Sequence, residues 1–231
     1  MFASLIPISY ATDSCMCVAF RLDDVQDYWL NNVQMGVIDE FHKQNASMTI
    51  GIIGNYFGND TLLVDFIKNK IGSGPEVEIA NHGWNHEHFP LQDEPTQEFL
   101  LDKTNQKVIS LFGISPAGFV APYDDINDDT IHAATMTKLG YLSANETMTP
   151  PPYPLSGVPL YMLPETAAIG AVNGDDTNWI DYDAEYTHSQ ILRSITKYGF
   201  AVVTLHPQDF SSRHVLDYMN SINQTRINQL D

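Results

Sequence analysis

Residues 15–24 read CMCVAFRLDD. The run over 15–22 is mostly apolar, which predicts a short buried strand, and Asp23 and Asp24 follow directly at the carboxyl end of that strand. Apolar runs of similar length recur along the chain, at 47–54, 77–80, 118–121, 141–144, 160–164 and 200–205. These runs predict six further strands.

Amphipathic segments separate the predicted strands. They carry apolar residues at three- and four-residue spacing, and several open with an Asp, Thr or Ser that can cap a helix. The predicted helices cover 27–44, 60–71, 96–112, 128–139, 184–198 and 213–227. Alternating strands and helices are typical of an α/β fold with parallel strands. The number of units favours a (β/α) barrel with seven or eight parallel strands, whose chemistry would lie at the carboxyl ends of the strands.

Composition narrows the class of partner. The chain has 231 residues, of which 43% are hydrophobic and 17% charged, and its formal net charge is −18. Such a charge repels nucleic acid and anionic lipid, which are bound through clustered Lys and Arg. The apolar runs are also too short for membrane insertion as a spanning helix. We therefore expect a single domain over 12–231 that acts on a neutral or cationic partner.

The segment 1–11, MFASLIPISYA, is apolar and uncharged and ends in small residues. It is typical of the end of a signal peptide, which would make the protein secreted or cell-wall-associated, although a buried strand fits the same pattern. The two cysteines, Cys15 and Cys17, follow in a strand-like run. Buried free thiols are the commoner outcome there, and a Cys15–Cys17 bridge is the alternative in an oxidising compartment.

Two histidines follow the third predicted strand, in the segment His82-Gly83-Trp84-Asn85-His86. A spacing of four predicts that one helical turn places both imidazoles on one face, where they can bind one divalent cation. Asp24 would complete a set of two His and one Asp, with water in the open position as the nucleophile and Asp23 as its base. This donor set favours Zn²⁺ and also accepts Co²⁺ or Ni²⁺. His88 is either a spare ligand or an exposed turn residue.

These residues are similar to the motifs of the polysaccharide deacetylases, the NodB-homology domains of carbohydrate esterase family four. The family's T-F-D-D aligns with 21–24, its H-S/T-x-x-H with 82–86, its R-x-P-Y with 120–123 and its L-x-x-H with 203–206. The resemblance implies a distorted (β/α) barrel in which Asp23 is the base and Asp24, His82 and His86 hold the metal. It further implies that His206 is the general acid and that the backbone N–H of Tyr123 helps to hold the oxyanion.

The chain departs from the family pattern at two motifs. Val120 stands where the family has an Arg that orients the catalytic Asp, and we hypothesise that Arg21 replaces it, because residues two apart on a strand share a face. Packing inside the barrel, or pairing with another acid, is the alternative for Arg21. The family's D-x-x-D-W aligns weakly with 175–179, where Asn178 replaces the Asp that tunes the acid histidine. Asp175, Asp176 or Asp181 can take over that role, or the segment is a solvated acidic loop.

The predicted function is removal of acetyl groups from an N-acetylated glycan, such as chitin or a peptidoglycan-like polymer, by a metal-dependent hydrolase. The substrate class comes from the resemblance, whereas the residues themselves indicate metal-assisted acyl transfer to water. Two alternatives stay open. The first is hydrolysis of another acyl substrate, such as O-acetylated xylan or a small amide. The second is a catalytically retired glycan-binding module.

Overall fold

The strands of the structure follow the apolar runs of the sequence. The computed structural model describes residues 15–145, 153–172 and 179–211. In chain order its strands are β1 Cys17–Val25, β2 Met48–Ile52, β3 Val77–Asn81, β4 Gly118–Val120, β5 Tyr141–Ser143, β6 Tyr153–Pro154, β7 Tyr161–Met162, β8 Ala167–Ala168, β9 Gly170–Val172, β10 Trp179–Asp181 and β11 Phe200–Leu205. Each of the seven predicted strands is present, and β6, β8, β9 and β10 are additional.

The main sheet runs in the order β6-β7-β5-β4-β3-β2-β1-β11-β8, and β9 pairs separately with β10. Every neighbouring pair in the main sheet is parallel except β6 with β7. The described residues therefore contain eight parallel strands, which confirms the predicted α/β class and strand number. In the described part of the chain, β6 and β8 are free edges, so the barrel is open.

The sheet curls strongly about its own axis. Arg21 on β1 donates a hydrogen bond to the hydroxyl of Ser143 on β5, at 2.7 Å. Four strand spacings of about 4.8 Å would separate these strands in a flat sheet. Because their side chains meet, the strands wrap around a shared interior.

Five α-helices connect the described strands. They are α1 Asn31–Lys43, α2 Thr61–Lys70, α3 Glu94–Phe112, α4 Asp128–Met136 and α5 Ala184–Tyr198, with short 3₁₀ turns at Gly54–Tyr56, Phe89–Leu91, Pro122–Asp124 and Pro207–Phe210. The side chains of Asp60, Asp93 and Asp183 cap α2, α3 and α5 by accepting backbone N–H bonds. The predicted helix over 27–44 begins only at Asn31. The helix predicted over 213–227 lies outside the described residues.

Among the residues that the structure describes, two apolar clusters form the core. One packs β1, β2 and β3 against α1 and α2, with Leu22, Ile50 and Ile79 at its centre. The other joins β4 and β5 to α3 and α4 around Phe119 and Leu142. Both clusters lie between the sheet and the helices, whereas Arg21 and Ser143 meet on the inside of the curl.

The cysteine pair differs from the expectation. Cys15 and Cys17 form a disulfide, and Cys15 is exposed, so the prediction of buried free thiols is wrong. The two residues lie where the chain enters β1, at the end of the strand far from Asp23. Across the described ranges, no helix is both long and apolar enough to cross a bilayer.

Candidate metal centre and active site

A β-bulge at the end of β1 places two successive aspartates at one site. The register of β1 against β2 shifts between Leu22 and Val25, so that Asp23 and Asp24 stand opposite the single residue Gly51. Asp24 has a φ of 60°. Successive residues of a regular strand point to opposite faces, and the extra residue of a bulge removes that alternation. Both carboxylates can therefore lie beside His82, which interacts electrostatically with each of them.

The segment 82–86 is a loop, so the predicted helical turn is wrong. Gly83 and His86 both have left-handed backbones, with φ of 77° and 61°, and this geometry turns the loop back on itself. The buried Asn81 holds the loop in place, since its Oδ1 accepts the N–H of Gly83 at 2.9 Å while its Nδ2 donates to Leu101 O and Asn105 Oδ1. The ring centroids of His82 and His86 are 4.9 Å apart.

Asp24, His82 and His86 converge as one donor set. Asp24 Oδ1 lies 3.3 Å from His82 Nε2 and 3.2 Å from His86 Nε2, and one ligand atom from each residue falls within 4.8 Å of the others. His82 Nδ1 lies 2.8 Å from the carbonyl oxygen of Val120, which only accepts, so Nδ1 carries the proton and Nε2 keeps its lone pair for the site. Position 120 thus contributes to the site through its backbone.

The electrostatics of this set suit a cation. Burial and the neighbouring His82 lower the pKa of His86 to about 4, against the raising effect of Asp24, so His86 is neutral at pH 7. Burial alone would raise the pKa of Asp24, but its interactions with His82, His206 and His86 lower it overall, so the carboxylate is ionised. A neutral imidazole and an ionised carboxylate are the forms that bind metal. The residues therefore fit a divalent cation.

His88 does not join the donor set. Its Nε2 lies 2.7 Å from Asp125 Oδ2 on the exposed rim, and its ring packs 5.1 Å from Tyr123. Tyr123 and Asp124 are successive left-handed residues, with φ of 60° and 52°. The Tyr123 ring is 64% exposed and lies 4.8 Å from the ring of His86, so it forms part of the wall of the site.

Arg21 lies in the interior of the curl, where its side chain is 3% exposed. Its Nη2 lies 3.2 Å from Asp23 Oδ2 and 3.3 Å from Glu165 Oε2, and it also contacts Asp124. Burial alone would lower the pKa of Arg21, but Asp124, Asp23 and Glu165 raise it above its ordinary value. The guanidinium therefore stays charged. It contacts Asp23, which is the partner suggested by the sequence, and also Asp124 and Glu165, which the sequence did not identify.

Asp23 has one restrained oxygen and one free oxygen. Oδ2 faces Arg21, whereas Oδ1 is buried and has no hydrogen-bond partner in the part of the chain that the structure describes. Burial raises the pKa of Asp23, against the lowering effects of Arg21, His82 and His206. A buried, unpartnered carboxylate oxygen beside a cation site can accept a proton from a nucleophile held there.

His206 follows β11 and belongs to the same end of the barrel. Its ring meets the edge of Trp179 at 4.8 Å, and its Nδ1 is 3.9 Å from Asp209 Oδ2. Sequence reasoning missed Asp209, although its position three residues after His206 in the segment His206-Pro207-Gln208-Asp209 was a usable signal. Residues 175, 176 and 178 lie outside the described residues, and Asp181 is exposed. Burial raises the pKa of Asp209, and it outweighs the lowering effects of His206 and Trp179 to give a value of about 6.

The fold and the donor set define a class of protein: an open parallel barrel that carries two His and one Asp at the carboxyl ends of its strands, next to a buried Asp–Arg pair. Residues 11–142, more than half of the chain, match the family model of the polysaccharide deacetylases. The chain belongs to this family. No curated protein matched it in a sequence comparison.

Solved structures show the same fold. A provisionally assigned polysaccharide deacetylase from Mycobacterium smegmatis has a TM-score of 0.64 at 18% identity, over 97% of this chain and 88% of that one. The Bc1960 peptidoglycan N-acetylglucosamine deacetylase has a TM-score of 0.53 at 15% identity, over 93% and 83%. A pseudoenzyme of carbohydrate esterase family four from Bacillus anthracis has a TM-score of 0.54 at 14% identity, over 91% and 61%. The fold thus occurs in both deacetylases and pseudoenzymes.

Proposed function

We propose that this protein is a metal-dependent hydrolase that removes acetyl groups from an N-acetylated glycan, such as chitin or a peptidoglycan-like polymer. The observation that carries the proposal is the juxtaposition of the Asp24, His82 and His86 donors with the free oxygen of Asp23. Membership of the deacetylase family supports the type of reaction. The glycan is proposed by analogy with that family.

Asp24, His82 and His86 would hold the cation, and zinc suits this donor set best. A divalent cation in such a site makes water a stronger acid and polarises an acyl oxygen. Asp23 Oδ1 accepts the proton of the attacking water, while Arg21 restrains the other oxygen of the same carboxylate. The contact with Arg21 keeps the base oriented, and we assign this role to Arg21 in place of the arginine of the family's R-x-P-Y motif.

His206 supplies the proton to the leaving amine nitrogen as the C–N bond breaks. Its electrostatic interactions with Asp23 and Asp24 support this role. The backbone N–H of Tyr123 is proposed as an oxyanion donor. The exposed ring of Tyr123 offers a flat apolar surface on which a pyranose ring can pack.

Acetate release from a substrate panel tests the proposal. The zinc-loaded protein is incubated with chitin oligomers, peptidoglycan fragments, O-acetylated xylan and a small acetamide. We expect release from at least one N-acetylated glycan, and a loss of about 100-fold or more in Asp23→Asn, which removes the base and keeps all three metal donors. Release from the xylan or the amide alone would contradict the glycan assignment.

The same panel separates the enzyme from a retired member of the family. Val120 stands where the family has an arginine, and the fold is shared with a pseudoenzyme. The specific alternative to the proposed enzyme is therefore a protein that has lost turnover. Binding of chitin oligomers without acetate release, at every pH and with zinc, cobalt or nickel supplied, would identify a glycan-binding module. Equal turnover in wild type and Asp23→Asn would contradict the assigned base.

We also propose that the protein is secreted or associated with the cell wall. The Cys15–Cys17 disulfide supports this location, because disulfides persist mainly in oxidising compartments. Cell fractionation with an antibody tests it. Detection in the medium or wall fraction is expected, and confinement to the cytosol would contradict it.

A further inference from the structure

A buried carboxylate that the proposed reaction does not use lies beside the imidazole of His206. The Asp209 side chain is 1% exposed, and its Oδ2 is 3.9 Å from His206 Nδ1. Within the described ranges, that Nδ1 atom is buried and has no hydrogen-bond partner. A buried ring nitrogen without a partner is costly, so a nearby carboxylate is its natural acceptor. A ring shift of about 1 Å would bring the two atoms to the length of a charge-assisted bond.

Asp209 is itself held in place from two directions. Its Oδ1 accepts the indole N–H of Trp179 at 2.7 Å, and its Oδ2 accepts the backbone N–H of His206 at 2.6 Å. The Trp179 ring also packs edge-on against the His206 ring. The carboxylate therefore has one orientation, with an oxygen next to the imidazole.

The neighbouring strand leaves room for this arrangement only because residue 170 is glycine. A Cβ added at Gly170 would overlap Asp209 Oδ1 and Trp179 Nε1. Gly170 is not among the residues with a positive φ, so its backbone does not require glycine. Glycine is needed at this position because the side chains of Asp209 and Trp179 approach the backbone closely. Strands β9 and β10 and the turn Pro207–Phe210 thus converge on a single carboxylate.

We propose that Asp209 is the positioning residue of His206, holding the imidazole at Nδ1 so that Nε2 faces the leaving group. The proposal rests on the proposed function for the role of His206. As the C–N bond breaks, Nε2 gives its proton to the amine nitrogen, and the imidazole becomes neutral with its remaining proton on Nδ1, facing Asp209. The proton lost by the attacking water goes to Asp23.

Asp209→Asn tests the proposal kinetically. The substitution keeps size and removes the charge that holds the Nδ1 proton, so kcat should fall at least tenfold while KM stays within threefold. Glu185→Gln is the matched control, since it removes an exposed acid of the same charge near the start of α5. A kcat within twofold of the wild type would overturn the proposal.

Two further variants keep the test valid if Asp209→Asn folds poorly. Gly170→Ala displaces the carboxylate without removing it, and Trp179→Phe removes only the indole N–H. Both should lower kcat of the folded protein, with Gly170→Ala the larger loss. If Asp209 had only a structural role, the variants would have lower melting temperatures but unchanged kcat and KM. That result would overturn the proposal.

Nitrogen NMR of His206 provides a readout that needs no turnover. In the wild type, the neutral ring should carry its proton on Nδ1, and in Asp209→Asn that preference should weaken. Identical ring nitrogen shifts in the two proteins would overturn the positioning of His206. If the shifts differ while no substrate is turned over, the proposed function fails and the Asp209–His206 pairing stands.

Discussion

Arg21→Met tests the unusual part of this site, the buried guanidinium on β1 that faces the buried Asp23 and the partly buried Asp124 and Glu165. Removing one partner of a buried ion pair typically costs about 3–5 kcal/mol, because the remaining charge is left without compensation. For a protein of this size, each kcal/mol lowers the melting temperature by roughly 2–4 °C. Arg21→Met should therefore lower the melting temperature by about 6–20 °C.

The catalytic effect should be separate from the stability effect. Arg21 contacts Asp23 but none of the three proposed metal ligands, so zinc content should stay at the wild-type level. Because the base loses its restraint, kcat at a temperature where the variant is folded should fall at least tenfold, which corresponds to a rise of about 1.4 kcal/mol in the activation free energy.

The assay combines thermal melting, zinc content by mass spectrometry and initial rates of acetate release. Arg193→Met is the matched control, because it makes the same substitution at an exposed position on α5. Arg21→Met/Asp124→Asn should recover part of the melting temperature and none of the rate, since it removes an ionised carboxylate left without its partner but does not restrain Asp23. Wild-type kcat and melting temperature in Arg21→Met would refute the reasoning.

The remaining predictions concern the loop, the acid cluster and the surface. Asn81→Ala should weaken zinc binding by roughly 10–100-fold in calorimetry, because the loop that carries His82 loses its support, and an unchanged affinity would contradict this. Burial and the charge of Asp124 raise the pKa of Glu165 from its ordinary value of 4.5 to about 8. The stability that this group contributes is therefore fully present below pH 4.5 and is lost as the pH rises towards 8. Glu165→Gln should flatten that decline in the free energy of unfolding, and parallel curves for the two proteins would argue against it. The net charge of −18 predicts that binding to cationic chitosan weakens with salt more steeply than binding to neutral chitin oligomers, and equal slopes in a salt titration would exclude that effect.

The strands and the main ligands could be predicted because their signals are local. An apolar run bounded by helix patterns predicts a strand wherever it lies, and parallel strands share one carboxyl end. Asp24, His82 and His86 could thus be grouped without knowing the sheet order. The prediction of the fold also gained from the resemblance to a known family, which the matching family model confirms.

The backbone geometry of the site could not be predicted from local sequence patterns. A spacing of four between His82 and His86 fits a helical turn as well as a loop, and the left-handed residues that decide between them have no strong sequence signature at His86. The bulge at Asp24 is likewise set by how β1 pairs with β2. Residues at functional sites often adopt such sparsely populated conformations, which local propensity does not predict.

The partners of the buried charges were also missed. Asp124 and Glu165 meet Arg21 across sequence separations of 103 and 144 residues, and only the curl of the sheet brings them together. Asp209 lies only three residues after His206 in sequence, but its importance depends on its burial and on the hydrogen bond from Trp179. Pairwise contacts of this kind depend on tertiary packing.

The central claim is that Asp24, His82 and His86 together bind the cation on which hydrolysis depends. Anomalous scattering at the zinc edge, from crystals soaked in zinc, tests it most directly. We predict one strong peak bonded to Asp24, His82 Nε2 and His86 Nε2 at about 2.0–2.2 Å. A fully soaked crystal with no anomalous peak between these three side chains would contradict the account.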